Sequence, residues 1–126
     1  MVRPLGTLEQ HVMDRIWSWG RPVAVREVLE DLQRERTLAY TTVMTVMDNL
    51  RRKGFLTREK DGRAYLYRPA QTREQHTAAF MGEVLAGGAD TSVTFLHFLD
   101  HISPEEVASL RLALDEHLQG RTSTAP

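Results

Sequence analysis

The chain contains no cysteine. That absence removes disulfides, thiolate metal sites and thiol nucleophiles together. Long apolar runs are missing too, since none approaches the ~20 residues that cross a bilayer. The opening stretch MVRPLGTLEQ lacks the apolar core of a secretion signal. A soluble, cytoplasmic protein is therefore expected. No nucleophile stands beside a base, no pair of acids shares the central motif, and no glycine-rich phosphate loop occurs. An enzyme is not expected, and neither a cofactor nor a bound metal is called for. A surplus of one charge is also absent, with 16 Lys and Arg against 17 Asp and Glu.

That near balance hides a division. Residues 1–70 hold 13 cations and 9 acids, a net of +4, whereas residues 71–126 hold 3 and 8, a net of −5. Such asymmetry suggests one half that meets a polyanion and one that does not. The local field matters here more than the whole-chain charge. With 126 residues and 41% apolar content, the chain allows one ordinary domain or a small domain with an appendage.

The most informative stretch runs from Leu38 to Arg68. Its spacing predicts a helix over Tyr40–Lys53, stopped by Gly54. On that helix Val43, Val46, Met47 and Leu50 share an apolar face. Thr41, Thr45, Asp48 and Arg52 share another, with Thr42 and Asn49 beside them. The first face suits a core. The second suits a DNA major groove, where Thr and Asn meet base edges or phosphates, and Arg and Lys meet phosphates or guanine. A solvated amphipathic helix would also have a polar face. The sequence that follows shifts the balance, because Arg51–Arg68 carries seven cations and two acids. Asp61-Gly62 between extended runs signals a hairpin, with Arg63 at the mouth of its turn. A helix followed by a basic hairpin is the pattern of a winged helix-turn-helix. Asp48 is a discordant charge, and pairing with Arg52 is favoured over acceptance from cytosine.

The preceding segments complete that module. Thr7 and Gln10 suggest a capping box for a helix over Leu8–Trp19, with Gly20 and Pro22 ending it. Leu8, Val12, Ile16 and Trp19 form its core stripe, widened by Met13 and Trp17. Val23-Ala24-Val25 is extended and suited to pairing with the wing. A second helix is expected over Val25–Arg34, burying Val28, Leu29 and Leu32, with a turn over Arg34–Thr37. Tyr65 and Tyr67 could touch DNA, but packing against the first helix is favoured.

These residues carry a resemblance. AYTTVMTVMDNLRRKGFLTREKDGRAYLYRP and LGTLEQHVMDRIWSWG resemble the penicillinase repressor family, dimeric bacterial repressors of β-lactamase and methicillin-resistance operons. The resemblance spans about residues 5–118. It implies a mainly α fold, with a winged helix-turn-helix at residues 1–70 and a helical dimerisation domain at 71–120; the residues after Gly120, 121–126, read as a flexible tail. It further implies repression by a homodimer on a palindromic DNA operator. Carried onto this chain, the DNA-contacting helix maps to Thr41, Thr42, Thr45 and Asn49, and the wing tip to Asp61–Arg63. Asn49, Arg52 and Lys53 are read as holding the groove edge and the phosphates, and Arg63 as clamping a flanking phosphate or entering the minor groove.

Beyond Pro69 the sequence predicts helices over Arg73–Leu85 and Thr91–Ile102, and a third that begins at Ser103-Pro104 and ends at Gly120. Three short amphipathic helices make a poor private core, so a symmetric dimer is expected. Its seam would use Phe95, Leu96, Phe98 and Leu99, with Val107, Leu110, Leu114 and Leu118. His97 and His101 stand four apart, but no third ligand accompanies them. In antibiotic-responsive members of the family, a membrane sensor with a protease domain triggers cleavage at an Asn-Phe bond. The corresponding bond here is His97-Phe98, a departure at the first residue. A copper-responsive branch uses paired cysteines, which this chain lacks. The competing expectations are a winged-helix protein-interaction module and a regulator of the same fold that answers a small ligand.

Overall fold

The computed structural model describes residues 5–88 and 90–123. Its elements are α1 (Thr7–Trp19), α2 (Val25–Leu32), α3 (Tyr40–Arg52), β1 (Leu56–Asp61), β2 (Ala64–Pro69), α4 (Arg73–Ala86), α5 (Thr91–Leu99) and α6 (Pro104–Ser123). They group into two compact units, residues 1–83 and 84–126.

In the first unit the apolar stripes of three helices meet. Val12, Met13 and Ile16 of α1, Val28 and Leu32 of α2, and Val43, Met47 and Leu50 of α3 are all buried. Leu56 of β1 and Tyr67 of β2 close this core from the wing side. The strands pair antiparallel, from Leu56 opposite Pro69 to Asp61 opposite Ala64. Val23 adds a single antiparallel bridge to Tyr67, with N–H···O distances of 2.9 and 2.7 Å in the two directions. The expected extra pairing to the wing is therefore present, as one bridge.

Several boundaries differ from expectation for local reasons. Gly6, not Thr7, stands at the start of α1, where its N–H donates to the Glu9 carboxylate at 2.9 Å. Gln10 instead donates to Asp14. Helix α2 stops at Leu32 because the backbone tightens there: Arg34 N donates to Asp31 O at 3.2 Å and Glu35 N to Leu32 O at 3.0 Å. The hairpin turn is Gly62-Arg63, because Asp61 already pairs with Ala64. Gly62 takes φ 64° and no non-glycine residue has positive φ among those described, which fits glycine at the first central position of a type II′ turn.

In the second unit, Asp90 Oδ1 accepts from Val93 N at 3.1 Å and caps α5. Ser103 Oγ accepts from Glu106 N at 3.1 Å, while Glu106 accepts from Ser103 N, a complete capping box for α6. Helix α5 ends at Leu99 rather than Ile102, so His97 and His101 do not share one helical face. Helix α6 runs through Gly120 to Ser123, since Gly120 does not take the left-handed conformation that would stop it. The expected tail begins inside that helix, and residues 124–126 lie outside those described.

Candidate nucleic-acid interface

Packing fixes the orientation of α3. With Val43, Met47 and Leu50 in the core, the opposite side carries Thr41, Thr42 and Thr45, all exposed, and Arg52, exposed at its C-terminal end. Asn49 is half-buried at the edge of that face. The wing stands beside it and leaves a crevice of about 860 Å³, lined in part by Tyr40, Met44, Thr45, Asp48, Arg52, Arg58, Arg63 and Tyr65. Thr45, Arg52 and Arg63 of the predicted set thus come together, from α3 and the hairpin tip. Thr41, Thr42 and Asn49 lie on α3 outside the crevice lining.

Lys53 pairs with the first helix. Its Nζ lies 2.7 Å from Glu9 Oε2 on α1. Burial alone would raise the Glu9 pKa, but the hydrogen bonds from Lys53 and the Gly6 N–H, with the Lys53 charge, hold it below its ordinary value.

Asp48 pairs with Arg52, as the spacing suggests, but not with Arg52 alone. Its Oδ1 accepts from Arg51 Nη2 at 2.9 Å, and Arg58 Nη1 of β1 lies 3.7 Å from the same oxygen. The Arg51 hydrogen bond, opposed by burial and reinforced by the charges of Arg52 and Arg51, keeps the Asp48 carboxyl below the ordinary aspartate range.

Tyr67 packs inward as expected, whereas Tyr65 does not: it is 39% exposed, with the Arg58 guanidinium 3.9 Å from its ring centre. Arg58 is a lining residue that the sequence reading does not single out, and Tyr65 takes the exposed position rather than the favoured packed one. The available signal was strand pairing, since Arg58 sits opposite Tyr67 and one step diagonally from Tyr65.

A three-helix core, an exposed Thr-rich helix and a basic hairpin beside it define the module. The sequence matches the penicillinase repressor family over residues 5–116. The chain belongs to the penicillinase repressor family. The transcriptional regulator BlaI of Mycobacterium tuberculosis is 38% identical over 125 residues, covering 97% of this chain and 91% of that protein. The penicillinase repressor of Bacillus licheniformis is 30% identical over 115 residues, covering 86% and 88%. The DNA-binding domain of the repressor BlaI, solved in solution, has a TM-score of 0.50 at 27% identity and covers 58% of this chain and 88% of that one. Membership in the penicillinase repressor family makes this chain a transcriptional repressor and not an enzyme. No described helix is long and apolar enough to cross a membrane.

Proposed function

We propose that this penicillinase repressor family member binds a palindromic operator as a homodimer and acts in the cytoplasm. Helix α3 enters the major groove through Thr41, Thr42, Thr45 and Asn49. Arg52 meets the flanking phosphates and Arg63 clamps the backbone from the hairpin tip, while Lys53, paired with Glu9 and partly exposed, stands at the C-terminal edge of the same helix. The observation that carries the reading is the crevice between α3 and the wing, where Thr45, Arg52 and Arg63 line one surface. Similarity to the penicillinase repressor of Bacillus licheniformis supports a penicillinase or related resistance gene as the regulated class.

Exposure supports the dimer. Phe95, Leu96, Phe98, Leu110, Leu114 and Leu118 are exposed on α5 and α6, while Leu99 and Val107 are half-buried. A second copy covering these faces removes that apolar surface from water. Family resemblance adds a release step, cleavage at His97-Phe98 in α5 controlled by a membrane sensor-protease. Intact protein in β-lactam-treated cells whose regulated gene is switched on would contradict that step.

Selection of duplex fragments from bulk genomic DNA tests the binding reading. The chain should enrich one or a few fragments that contain an inverted repeat. Enrichment without sequence preference at low salt would overturn it.

A further inference from the structure

The operator-binding reading leaves one α3 residue with the wrong charge. An acid at a polyanion surface repels every DNA sequence alike, so the position of Asp48 needs a separate account. Three guanidinium groups from two elements converge on its carboxylate. Arg51 donates to Oδ1 through Nη2 at 2.9 Å and Nε at 3.3 Å. Arg52 reaches Oδ2, and Arg58 approaches Oδ1 from β1 at 3.7 Å. Arg58 is held from two further sides, by the face of Tyr65 at 3.9 Å and by the Tyr67 hydroxyl at 3.3 Å. The Asp48 side chain is only 24% exposed.

This arrangement does two things. It gives Arg51 and Arg52 fixed directions, because charge-assisted hydrogen bonds orient as well as attract, while Arg58, held by Tyr65 and Tyr67, faces the same carboxylate at ion-pair distance. It also partly neutralises them, so a phosphate in the wrong place must compete with a carboxylate already in contact. We infer that Asp48 is a specificity-determining positioning residue: it ties Arg51, Arg52 and Arg58 into one network across α3 and the wing. Loose binding to arbitrary DNA is suppressed, while a duplex whose backbone fits the fixed cations keeps its contacts. The inference rests on the α3–wing crevice being the DNA interface.

The test uses the full chain and Asp48→Asn, which keeps the side-chain shape and removes the charge. Two duplexes are compared across a salt series: the fragment that wild type enriches, and a scrambled duplex of equal length and composition. Affinity of the variant for scrambled DNA should rise roughly threefold to tenfold. Its log–log salt slope should steepen by about 0.9 for each added phosphate contact. The ratio of selected to scrambled affinity should fall by that same roughly threefold to tenfold, because the fitting duplex already has its contacts and gains little. Adding Arg58→Gln to Asp48→Asn should return scrambled-DNA affinity toward wild type. A merely structural role would weaken both duplexes in parallel with no steeper slope, and that outcome overturns the inference, as does an unchanged ratio. If wild type itself does not discriminate between the duplexes, the DNA-interface reading falls. If wild type discriminates and Asp48→Asn discriminates equally, only the role of Asp48 falls.

Discussion

The indole Nε1 of Trp17 donates a hydrogen bond to the backbone carbonyl of Gln71, 3.0 Å away and 54 residues along the chain. Around it, Arg73 pairs with Asp14 at 2.9 Å and lies 5.1 Å from the centre of the Trp17 ring. The His76 ring centre lies 5.4 Å from that of Trp17 and 5.1 Å from that of Phe55. The start of α4 is thereby fastened to the winged unit. Trp17→Phe deletes the donor and keeps an aromatic ring. It should lower stability by about 1 kcal/mol, read as a lower urea midpoint with an unchanged slope.

The two faces of α3 should separate stability from binding. Leu50 is fully buried. Leu50→Ala should therefore cost about 2–5 kcal/mol through lost transfer energy and a cavity. Thr45 is exposed, and Thr45→Ala should change stability by less than about 0.5 kcal/mol. Chemical denaturation of both variants reads this directly. Equal losses at the two sites would contradict the assigned orientation of the helix.

Acid should loosen the winged unit in a defined window. The Ala24 N–H hydrogen bond, against a smaller opposing effect of burial and with Arg21 adding to it, holds Glu27 below its ordinary value of 4.5. Glu9 and Asp48 are lowered as well. A carboxylate whose folded pKa lies below its unfolded one contributes stability above the unfolded value. It loses that contribution as pH falls through the folded value. Stability should hold from neutral pH down to about 5 and fall beneath 4.5, the ordinary Glu value. Urea denaturation across this range should show a shallower fall for Glu27→Gln.

The apolar faces of α5 and α6 predict association. Leu96 is 64% exposed and Leu114 57%. Leu110→Asp with Leu114→Asp places two charges on a face proposed to be covered by a second copy. The variant should sediment as a monomer at concentrations where wild type is a dimer. It should lose most of its affinity for a two-half-site operator and keep binding to one half-site. A monomeric wild type at micromolar concentration would contradict the dimer.

Much of this was legible in the sequence because it is local. The 3.6-residue stripe of α3 fixed which side faces the core, and glycine marked both its end and the hairpin. The misses have long-range or degenerate causes. The ion pair of Lys53 with Glu9 joins residues 44 apart in the chain, beyond the reach of any local pattern. Asp-Gly suits a type I′ turn, but Gly-Arg also forms a two-residue turn here, and strand register chose between them by pairing Asp61 with Ala64. Arg58 and Tyr65 read as ordinary strand residues until the hairpin folds, sets Arg58 on the Tyr65 ring and brings Arg58 to Asp48. Gly120 shows the converse limit: a glycine costs a helix only about 1 kcal/mol, so it need not end one.

The most direct test of the central claim is DNA binding by wild type and by Thr45→Ala/Arg63→Ala, on the enriched fragment, across a salt series. Both substituted residues line the crevice and are exposed. The account predicts tight wild-type binding that falls steeply with salt. In the double variant, affinity should drop at least about tenfold and the slope shrink by about one phosphate contact. Undiminished, equally salt-sensitive binding by the double variant would place the DNA interface elsewhere on the molecule.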